Sequence, residues 1–179
     1  MAIDKITTAS ITDANVTTAK IASGVLPANT PAFMGLLNNS SNGQNIPNAT
    51  NTKVNFDTEL FDTDNAFASN RFTPAVVGKY LINAGVRFAS GVAANLEIAR
   101  LALYKNGSHF YEAQFHNQNN PPRRQYLVLN VSVDVTSTSD YFEIYGYLQA
   151  SHTASGLIIS GKGSGGDSYA YYNASKIIT

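Results

Sequence analysis

A glycine-rich segment near the C-terminus is the first candidate for chemistry. Residues Gly161–Gly166 run Gly-Lys-Gly-Ser-Gly-Gly. A P-loop needs the spacing Gly-x-x-x-x-Gly-Lys-Ser/Thr, with a helix directly after it. This segment has neither that spacing nor a helical pattern behind it. We therefore expect a plain connecting loop rather than a phosphate site.

Residues that hold metals or act as nucleophiles are few and dispersed. The chain has no cysteine, which excludes a disulfide framework and any thiolate metal site or thiolate nucleophile. The three histidines, His109, His116 and His152, are too scattered along the chain to predict a zinc site. No serine occupies a Gly-x-Ser-x-Gly nucleophile elbow.

Four carboxylates are close together in the sequence. They are Asp57, Glu59, Asp62 and Asp64. Glycoside hydrolysis needs two carboxylates across a cleft, but these acids fall where a strand ends and a turn begins. Calcium would suit oxygen ligands of this kind, yet the spacing is not that of an EF-hand loop. The sequence therefore predicts no catalytic residue, no metal site and no cofactor.

Composition narrows the class of protein. Of the 179 residues 44% are hydrophobic and 13% are charged, with 12 Lys and Arg balancing 12 Asp and Glu. A chain of this size and apolar content is expected to form one folded domain with an appendage. The zero net charge gives no indication of nucleic-acid binding. No apolar run is long enough to cross a bilayer. The start of the chain lacks a signal-peptide core, so we expect assembly in a cytoplasm.

The longest β pattern spans Arg71–Phe88, and its second half alternates without interruption. One set of alternate positions is filled by Tyr80, Ile82, Ala84, Val86 and Phe88. A period of two over this length predicts a long strand with one buried face. Thr73-Pro74 precedes it, and because proline has no backbone N–H, the chain is expected to turn there or to form a sheet edge.

This stretch resembles the signature of the C1q/TNF-like jelly-roll family. That signature has a phenylalanine, five intervening residues, and then Gly-x-Tyr-x-aromatic. Phe72, Gly78 and Tyr80 have this spacing, and Ile82 replaces the final aromatic residue. The preceding segment Phe56–Asn65 also fits, although its loop is shorter than usual. An unrelated all-β sandwich is the alternative interpretation.

The resemblance covers residues 31–179 and implies an all-β fold, an antiparallel β-sandwich of the jelly-roll type that forms homotrimers. Three further strand patterns agree with it, namely Leu96–Tyr104, Tyr126–Val135 and Tyr141–Gln149. Between strands, Asn106-Gly107 predicts a type I′ hairpin turn, since this dipeptide readily adopts positive φ angles. Some members of the family bind calcium, but nothing in this sequence supports it.

The strand Tyr141–Gln149 carries large side chains on both faces. The sandwich core can cover only one face of a strand. We therefore predict that the tyrosines of the second face pack against neighbouring subunits, where tyrosine is favoured. The predicted trimer interface consists of Tyr141, Tyr145, Tyr147 and, from the last strand, Tyr171.

The N-terminal residues repeat with a period of five, which matches neither a helix nor a strand. The first position of each unit is apolar: Ile6, Ile11, Val16 and Ile21. A unit this short must stack on something to bury its apolar residue, so residues 1–30 are predicted to form an arm and linker that anchors the domain of residues 31–179. A disordered polar linker is the alternative. Stretches of this composition are similar to the front of bacteriophage fibre proteins.

Together these features predict a non-enzymatic bacteriophage virion protein. It is expected to be a homotrimeric fibre or knob that binds other virion proteins through the arm and presents the jelly roll to a host glycan or protein. A capsid decoration or cement protein is the alternative function. Three long loops are the candidate contact surfaces: Asn38–Asn51, Asn117–Arg124 and Ser151–Asp167. Loops on a rigid sandwich commonly carry binding. Neither nucleic-acid binding nor membrane insertion is expected.

Overall fold

The fold was analysed in a computed structural model, which describes residues 29–38, 43–91, 95–150, 158–159, 161 and 168–177. Within these ranges the chain forms strands and no helix. The strands are β1 (Ala32–Leu36), β2 (Gln44–Asn45), β3 (Thr52–Lys53), β4 (Thr58–Asp62), β5 (Phe67–Ala68), β6 (Arg71–Phe72), β7 (Gly78–Ala89), β8 (Leu96–Lys105), β9 (Ser108–His116), β10 (Arg124–Val135), β11 (Phe142–Ala150), β12 (Ile158–Ile159) and β13 (Ala170–Lys176). No membrane-spanning helix is found among the described residues.

Strand β7 lies at the centre of the first sheet, which we call sheet I. One side of β7 pairs with β10 along its whole length, and the other side pairs with β13 and, at its C-terminal end, with β12. The order continues from β13 to β1 and β4, while β2 pairs with β12. All of these pairs are antiparallel. The predicted long strand is confirmed, because its alternate residues from Tyr80 to Phe88 are fully buried.

The second sheet, sheet II, is built around β11 and β8. Its order is β5-β6-β11-β8-β9, and β3 also pairs with β11. Strands β8 and β9 form the predicted hairpin. Asn106 and Gly107 have φ angles of 53° and 78°, so both central residues of the turn adopt the left-handed conformation that the Asn-Gly pair predicts.

The core lies between the inner faces of the two sheets. Phe72 and Tyr80, two residues of the jelly-roll signature, meet edge to face with ring centroids 5.7 Å apart. Phe33 of β1 stacks on Phe72 at 4.8 Å and meets Tyr172 of β13 edge-on at 4.8 Å. Such aromatic pairs stabilise a core beyond their buried area. The antiparallel jelly-roll sandwich predicted from the sequence is confirmed.

The sandwich has two distinct ends. At one end, which we call the base, β1 and β7 begin and β13 finishes, since Ala32 pairs with Ser175 and Tyr80 with Lys176. At the opposite end, which we call the apex, β1, β7, β9 and β11 finish and β8, β10 and β13 begin. The connections at the base that join β8 to β9 and β10 to β11 are short turns. The longer connections begin at the apex.

The stretch Arg71–Phe88 is divided between the two sheets. Arg71 and Phe72 form β6 in sheet II, whereas β7 begins at Gly78 in sheet I. The residues between them cross from one sheet to the other at the proline that the sequence marked as a turn or an edge. Gly78 has a φ angle of 138°, which side chains rarely permit. The boundary between an arm of residues 1–30 and the domain stays a prediction, and β1 begins at Ala32.

Candidate binding surfaces

The three predicted contact loops start at the apex. The segments Asn38–Asn51, Asn117–Arg124 and Ser151–Asp167 follow β1, β9 and β11, and each of these strands finishes at that end. Most of the third segment lies outside the described residues. In the second segment, the Asn117 amide donates to the Glu97 carbonyl at 2.8 Å. The first and third loops begin more than 100 positions apart in the sequence. The fold therefore brings the starts of all three loops to one end of the sandwich.

The outer face of sheet II contains a buried acid. Glu143 of β11 is only 3% exposed, and its carboxylate accepts hydrogen bonds from Lys53 Nζ at 2.8 Å and from Arg71 Nε at 3.0 Å. Burial opposes ionisation of Glu143, but the two cations outweigh that effect and hold its pKa below the usual value. The acid therefore ties β3 and β6 to β11 through a compensated ion cluster.

Tyr145 and Tyr147 of β11, and Tyr141 directly before it, lie on the same outer face and have partners within the subunit. The Tyr145 ring lies against the Tyr104 ring, with centroids 4.3 Å apart. The Arg71 guanidinium lies 3.9 Å from the centre of the Tyr141 ring. Tyr147 is contacted in the same way by Arg100. Rings and cations therefore cover one another on this face by cation–π and ring contacts.

The outer face of sheet I is less well covered. Gly85 of β7 lies beneath Tyr126 and Tyr171, and a Cβ at this position would overlap the hydroxyl of the first and the ring of the second. The absence of a side chain therefore lets both rings lie close to the sheet. Partial burial, and to a smaller extent Tyr171, raises the pKa of Tyr126. Beside them Leu81 and Val128 are exposed.

The four tyrosines of the predicted trimer interface do not share a surface. Tyr141, Tyr145 and Tyr147 belong to the outer face of sheet II, whereas Tyr171 belongs to sheet I and faces away from them. A single flat contact cannot use both faces. The predicted interface as a set stays a prediction, and the structure divides its members between two candidate surfaces.

The carboxylate cluster is used for local structure. Asp62 accepts hydrogen bonds from the amides of Ala66 and Phe67 at 3.0 and 2.8 Å, which closes the turn between β4 and β5. Asp57 accepts from the Asn38 amide at 2.8 Å. Among the described residues no group of three or more metal-binding side chains is found. The turn role expected for these acids is consistent with these contacts.

A shallow depression of about 270 Å³ lies next to the same acids. It is lined by Phe56, Asp57, Glu59, Phe67, Ala68, Ser69 and Asn70. The Phe67 ring is stacked on Phe33 at 4.4 Å, and Asn70 accepts from the Phe56 amide at 2.6 Å. These side chains stabilise the fold. Among the residues that line the depression, no acid is paired with a base.

Several predicted features fall outside the described residues. These are the anchor residues Ile6, Ile11, Val16 and Ile21, together with His152 and most of the glycine-rich segment. Of the other histidines, His109 lies 3.4 Å from a Glu112 oxygen and meets Tyr104 edge to face. His116 pairs with Ile98 in the β8–β9 ladder.

Sequence reasoning missed two residues of the outer faces. The pattern of β11 placed Glu143 on the same face as the tyrosines, but its partners Lys53 and Arg71 are far away in the sequence. Alternation also places Arg87 of β7 on the face opposite the core, but it indicates no role for this residue. In the structure its guanidinium lies 3.2 Å from the centre of the Tyr169 ring. No local signal predicts either set of contacts, because strand pairing across the sandwich creates them.

Comparisons with known proteins place the fold. No protein-family model matches the sequence, and no curated protein matches it. Among solved structures, the globular domain of zebrafish complement 1qA protein is similar, with a TM-score of 0.51 and 18% sequence identity. The match covers 83% of this chain and 98% of that chain. At this level of identity the likeness concerns architecture alone. The chain has a C1q/TNF-like jelly-roll fold.

Proposed function

We propose that this chain is a non-enzymatic structural protein of a bacteriophage virion, a homotrimeric fibre or knob that contacts the host surface. Its N-terminal arm attaches it to the particle. The observation that carries this proposal is the opposition of the two ends of the sandwich. The chain enters the domain at the base, where β1 begins, and the three candidate contact loops start at the apex.

The distance between the two ends suits such a division of labour. Strand β7 runs from base to apex and has 12 residues. At about 3.3 Å per residue it spans about 40 Å. A subunit held at its base would therefore carry the apex loops about that far from the attachment point. Loops on a rigid sandwich are common binding surfaces.

The outer face of sheet I is the surface that best suits a contact between subunits. Leu81 and Val128 are 38% and 40% exposed there, whereas the tyrosines of β11 on the other outer face contact a ring and a cation of their own subunit. Large apolar groups left in water on one face favour a protein contact. The C1q/TNF-like resemblance implies a trimer, and Tyr171 belongs to this face. We therefore place the trimer contact on sheet I.

The use of the polar residues supports a binding role rather than catalysis. Asp57 and Asp62 are engaged with backbone amides, and Glu143 is neutralised by two cations. A general acid or base needs a carboxyl group that is free to exchange a proton with substrate. These three acids are committed to the fold.

The virion location rests on the N-terminal repeat. Its apolar positions, Ile6, Ile11, Val16 and Ile21, can be buried only against other chains of the trimer or against other virion proteins. The repeat is similar to the front of bacteriophage fibre proteins. Assembly would take place in the host cytoplasm, and the partner at the apex would be a glycan or a protein of the host surface.

Site-specific labelling tests which end contacts the host. Because the chain has no cysteine, a single Asn119→Cys variant can be labelled with polyethylene glycol at the apex, and Thr138→Cys at the base. Both positions are exposed. We expect the wild-type protein to bind host cells and to compete with infection. The apex label should abolish binding, and the base label should leave it unchanged.

Two results would contradict the proposal. One is host binding that survives the apex label but not the base label. The other is binding to preformed capsids with no binding to cells, which would support the capsid decoration function instead. Particles purified from infected cells, probed with an antibody to this chain, would then locate it on the head.

A further inference from the structure

Two arginines lie side by side at the apex, and a third precedes one of them in the chain. Arg87 of β7 is directly opposite Tyr126 of β10, and Arg124 lies two residues before that tyrosine on the same face of sheet I. Diagonal neighbours on antiparallel strands are about 7–8 Å apart, so Arg87 and Arg124 are adjacent. Arg123 precedes Arg124, and both are exposed. We call Arg87, Arg124 and Tyr126 the arginine–tyrosine cluster.

No acid neutralises these arginines within the described part of the chain. The ion pairs found there use other cations, namely Lys53, Arg71, Arg100, Lys105 and His109. The Nε–H of Arg87 is also buried without a hydrogen-bond acceptor among the described residues. A set of neighbouring cations without counter-charges repels itself and attracts anions. Among the described residues the cluster therefore has no counter-charge.

The central arginine is held in place before any partner arrives. Its guanidinium lies over the Tyr169 ring, 3.2 Å from the ring centre, and its backbone amide donates to the Tyr169 carbonyl at 3.1 Å. A cation–π contact of this kind restricts the side chain. A preorganised arginine loses less conformational entropy on binding than a free one.

Aromatic rings flank the arginines. Tyr126 is 43% exposed, and together with Tyr171 it lies close to the sheet over Gly85. Tyrosine offers a rigid contact surface with an apolar face and a polar edge. The C–H face of a sugar ring packs on such a surface, and a guanidinium binds a carboxylate through two parallel hydrogen bonds.

We propose that the arginine–tyrosine cluster binds a carboxylate-bearing acidic polysaccharide of the host surface. This inference rests on the proposed function and names the partner of its apex. In a trimer joined through the outer face of sheet I around Leu81 and Val128, three copies of the cluster would lie at the exposed apex rim of the contact. Three linked sites bind a repeating polymer more tightly than one, and the polymer would supply the missing negative charge.

Binding of the full-length protein to purified polymers tests the inference. The probes are immobilised polygalacturonate and, as the uncharged counterpart, dextran. We expect binding to polygalacturonate alone, with an affinity that falls as salt is added. Replacing one arginine by Arg124→Gln should weaken binding about tenfold, the loss of one charge-assisted contact. Arg87→Gln should do the same, and because Arg124 is exposed, its variant carries the test even if Arg87→Gln disturbs folding.

Lys79→Gln is the matched control. It removes the same charge at the base end of β7, away from the cluster; sedimentation should show an unchanged trimer, and polymer binding should be unchanged. The inference is overturned if Lys79→Gln weakens binding as much as Arg124→Gln does, or if single-stranded DNA binds as tightly as polygalacturonate. It is also overturned if the protein binds host cells but no acidic polysaccharide, a result that leaves the proposed function intact.

Discussion

Asp140 shows how much local structure one side chain can fix. It follows the turn between β10 and β11 and is 5% exposed. Its carboxylate accepts hydrogen bonds from Asn106 Nδ2 at 2.8 Å and from the amides of Thr136 and Ser137 at 3.0 and 3.4 Å, and it pairs with Lys105 at 3.0 Å. The hydrogen bond from Asn106, assisted by the others, outweighs burial and lowers the pKa of Asp140.

The first prediction follows from that pKa. An unfolded aspartate titrates near pH 4, so the ionised Asp140 stabilises the fold above about pH 4 and loses this contribution as the pH falls towards the lower folded-state pKa. Asp140→Asn should lower the free energy of unfolding at pH 7 by about 1–3 kcal/mol. The difference from wild type should narrow between pH 5 and pH 3 in urea titrations.

Glu59→Gln is the control for this prediction. Glu59 is exposed, so its removal should change the unfolding free energy little at either pH. A difference between Asp140→Asn and wild type that stays constant from pH 7 to pH 3 would show that the carboxylate charge does not stabilise the turn.

At the scale of strands, alternation predicted most of the inner faces. Alternate residues of β7 and β11, such as Tyr80, Phe88, Phe142 and Leu148, are fully buried. In β10, Leu127, Leu129, Val133 and Val135 are buried as expected, and Val131 is partly buried against the core. A strand in a two-sheet sandwich buries one face in the core, and a period of two in the sequence indicates that face directly.

The outer faces could not be predicted in the same way. Alternation predicts that Tyr145 and Tyr171 point away from the core, but it does not indicate the sheet to which each belongs. That assignment depends on pairing between strands far apart in the sequence. The neighbours Lys53, Arg71 and Tyr104 reach the face of β11 through such pairings. The sequence therefore predicted outward-facing tyrosines as interface residues. It did not show that these tyrosines lie on opposite sides of the sandwich.

The second prediction separates the two outer faces. Val128→Lys places a charge on the outer face of sheet I, where burial of an unpaired charge is costly. We expect the trimer to dissociate to folded monomers, measured by sedimentation velocity with circular dichroism as the check on folding. Tyr145→Ser removes a ring from the outer face of sheet II and should leave the trimer intact.

The opposite sedimentation result would place the trimer interface on β11. If Tyr145→Ser yields monomers and Val128→Lys remains trimeric, the contact predicted from Tyr141, Tyr145 and Tyr147 is the correct one. A wild-type protein that sediments as a monomer at micromolar concentration would contradict both placements.

For the whole molecule, the jelly-roll topology places the start of β1 and the candidate contact loops at opposite ends. Lys176 donates its amide to the Pro31 carbonyl at 3.2 Å, and Ile177 donates to the Lys79 carbonyl at 2.8 Å. Both described ends of the domain are therefore fastened at the base. The three candidate contact loops start at the opposite end, so change in them need not disturb the base.

The third prediction concerns the arm. Burying one apolar side chain of the repeat contributes about 1.5–3 kcal/mol, so Ile6, Ile11, Val16 and Ile21 in three chains could offset the cost of ordering the arm once they dock. Deleting residues 1–26 should leave a folded trimer with an unchanged unfolding temperature, because the base is closed by the domain itself. The shortened protein should no longer be incorporated into particles.

A full-length variant with those four residues replaced by serine is the matched control for the deletion. It keeps the length of the arm and removes only its apolar groups, so it should fail to incorporate in the same way if they provide the anchor. Incorporation can be measured by quantitative mass spectrometry of purified particles. Full occupancy by the deleted protein would place the anchor in the jelly roll. Full occupancy by the serine variant, with none by the deleted protein, would place it in the polar residues of the repeat.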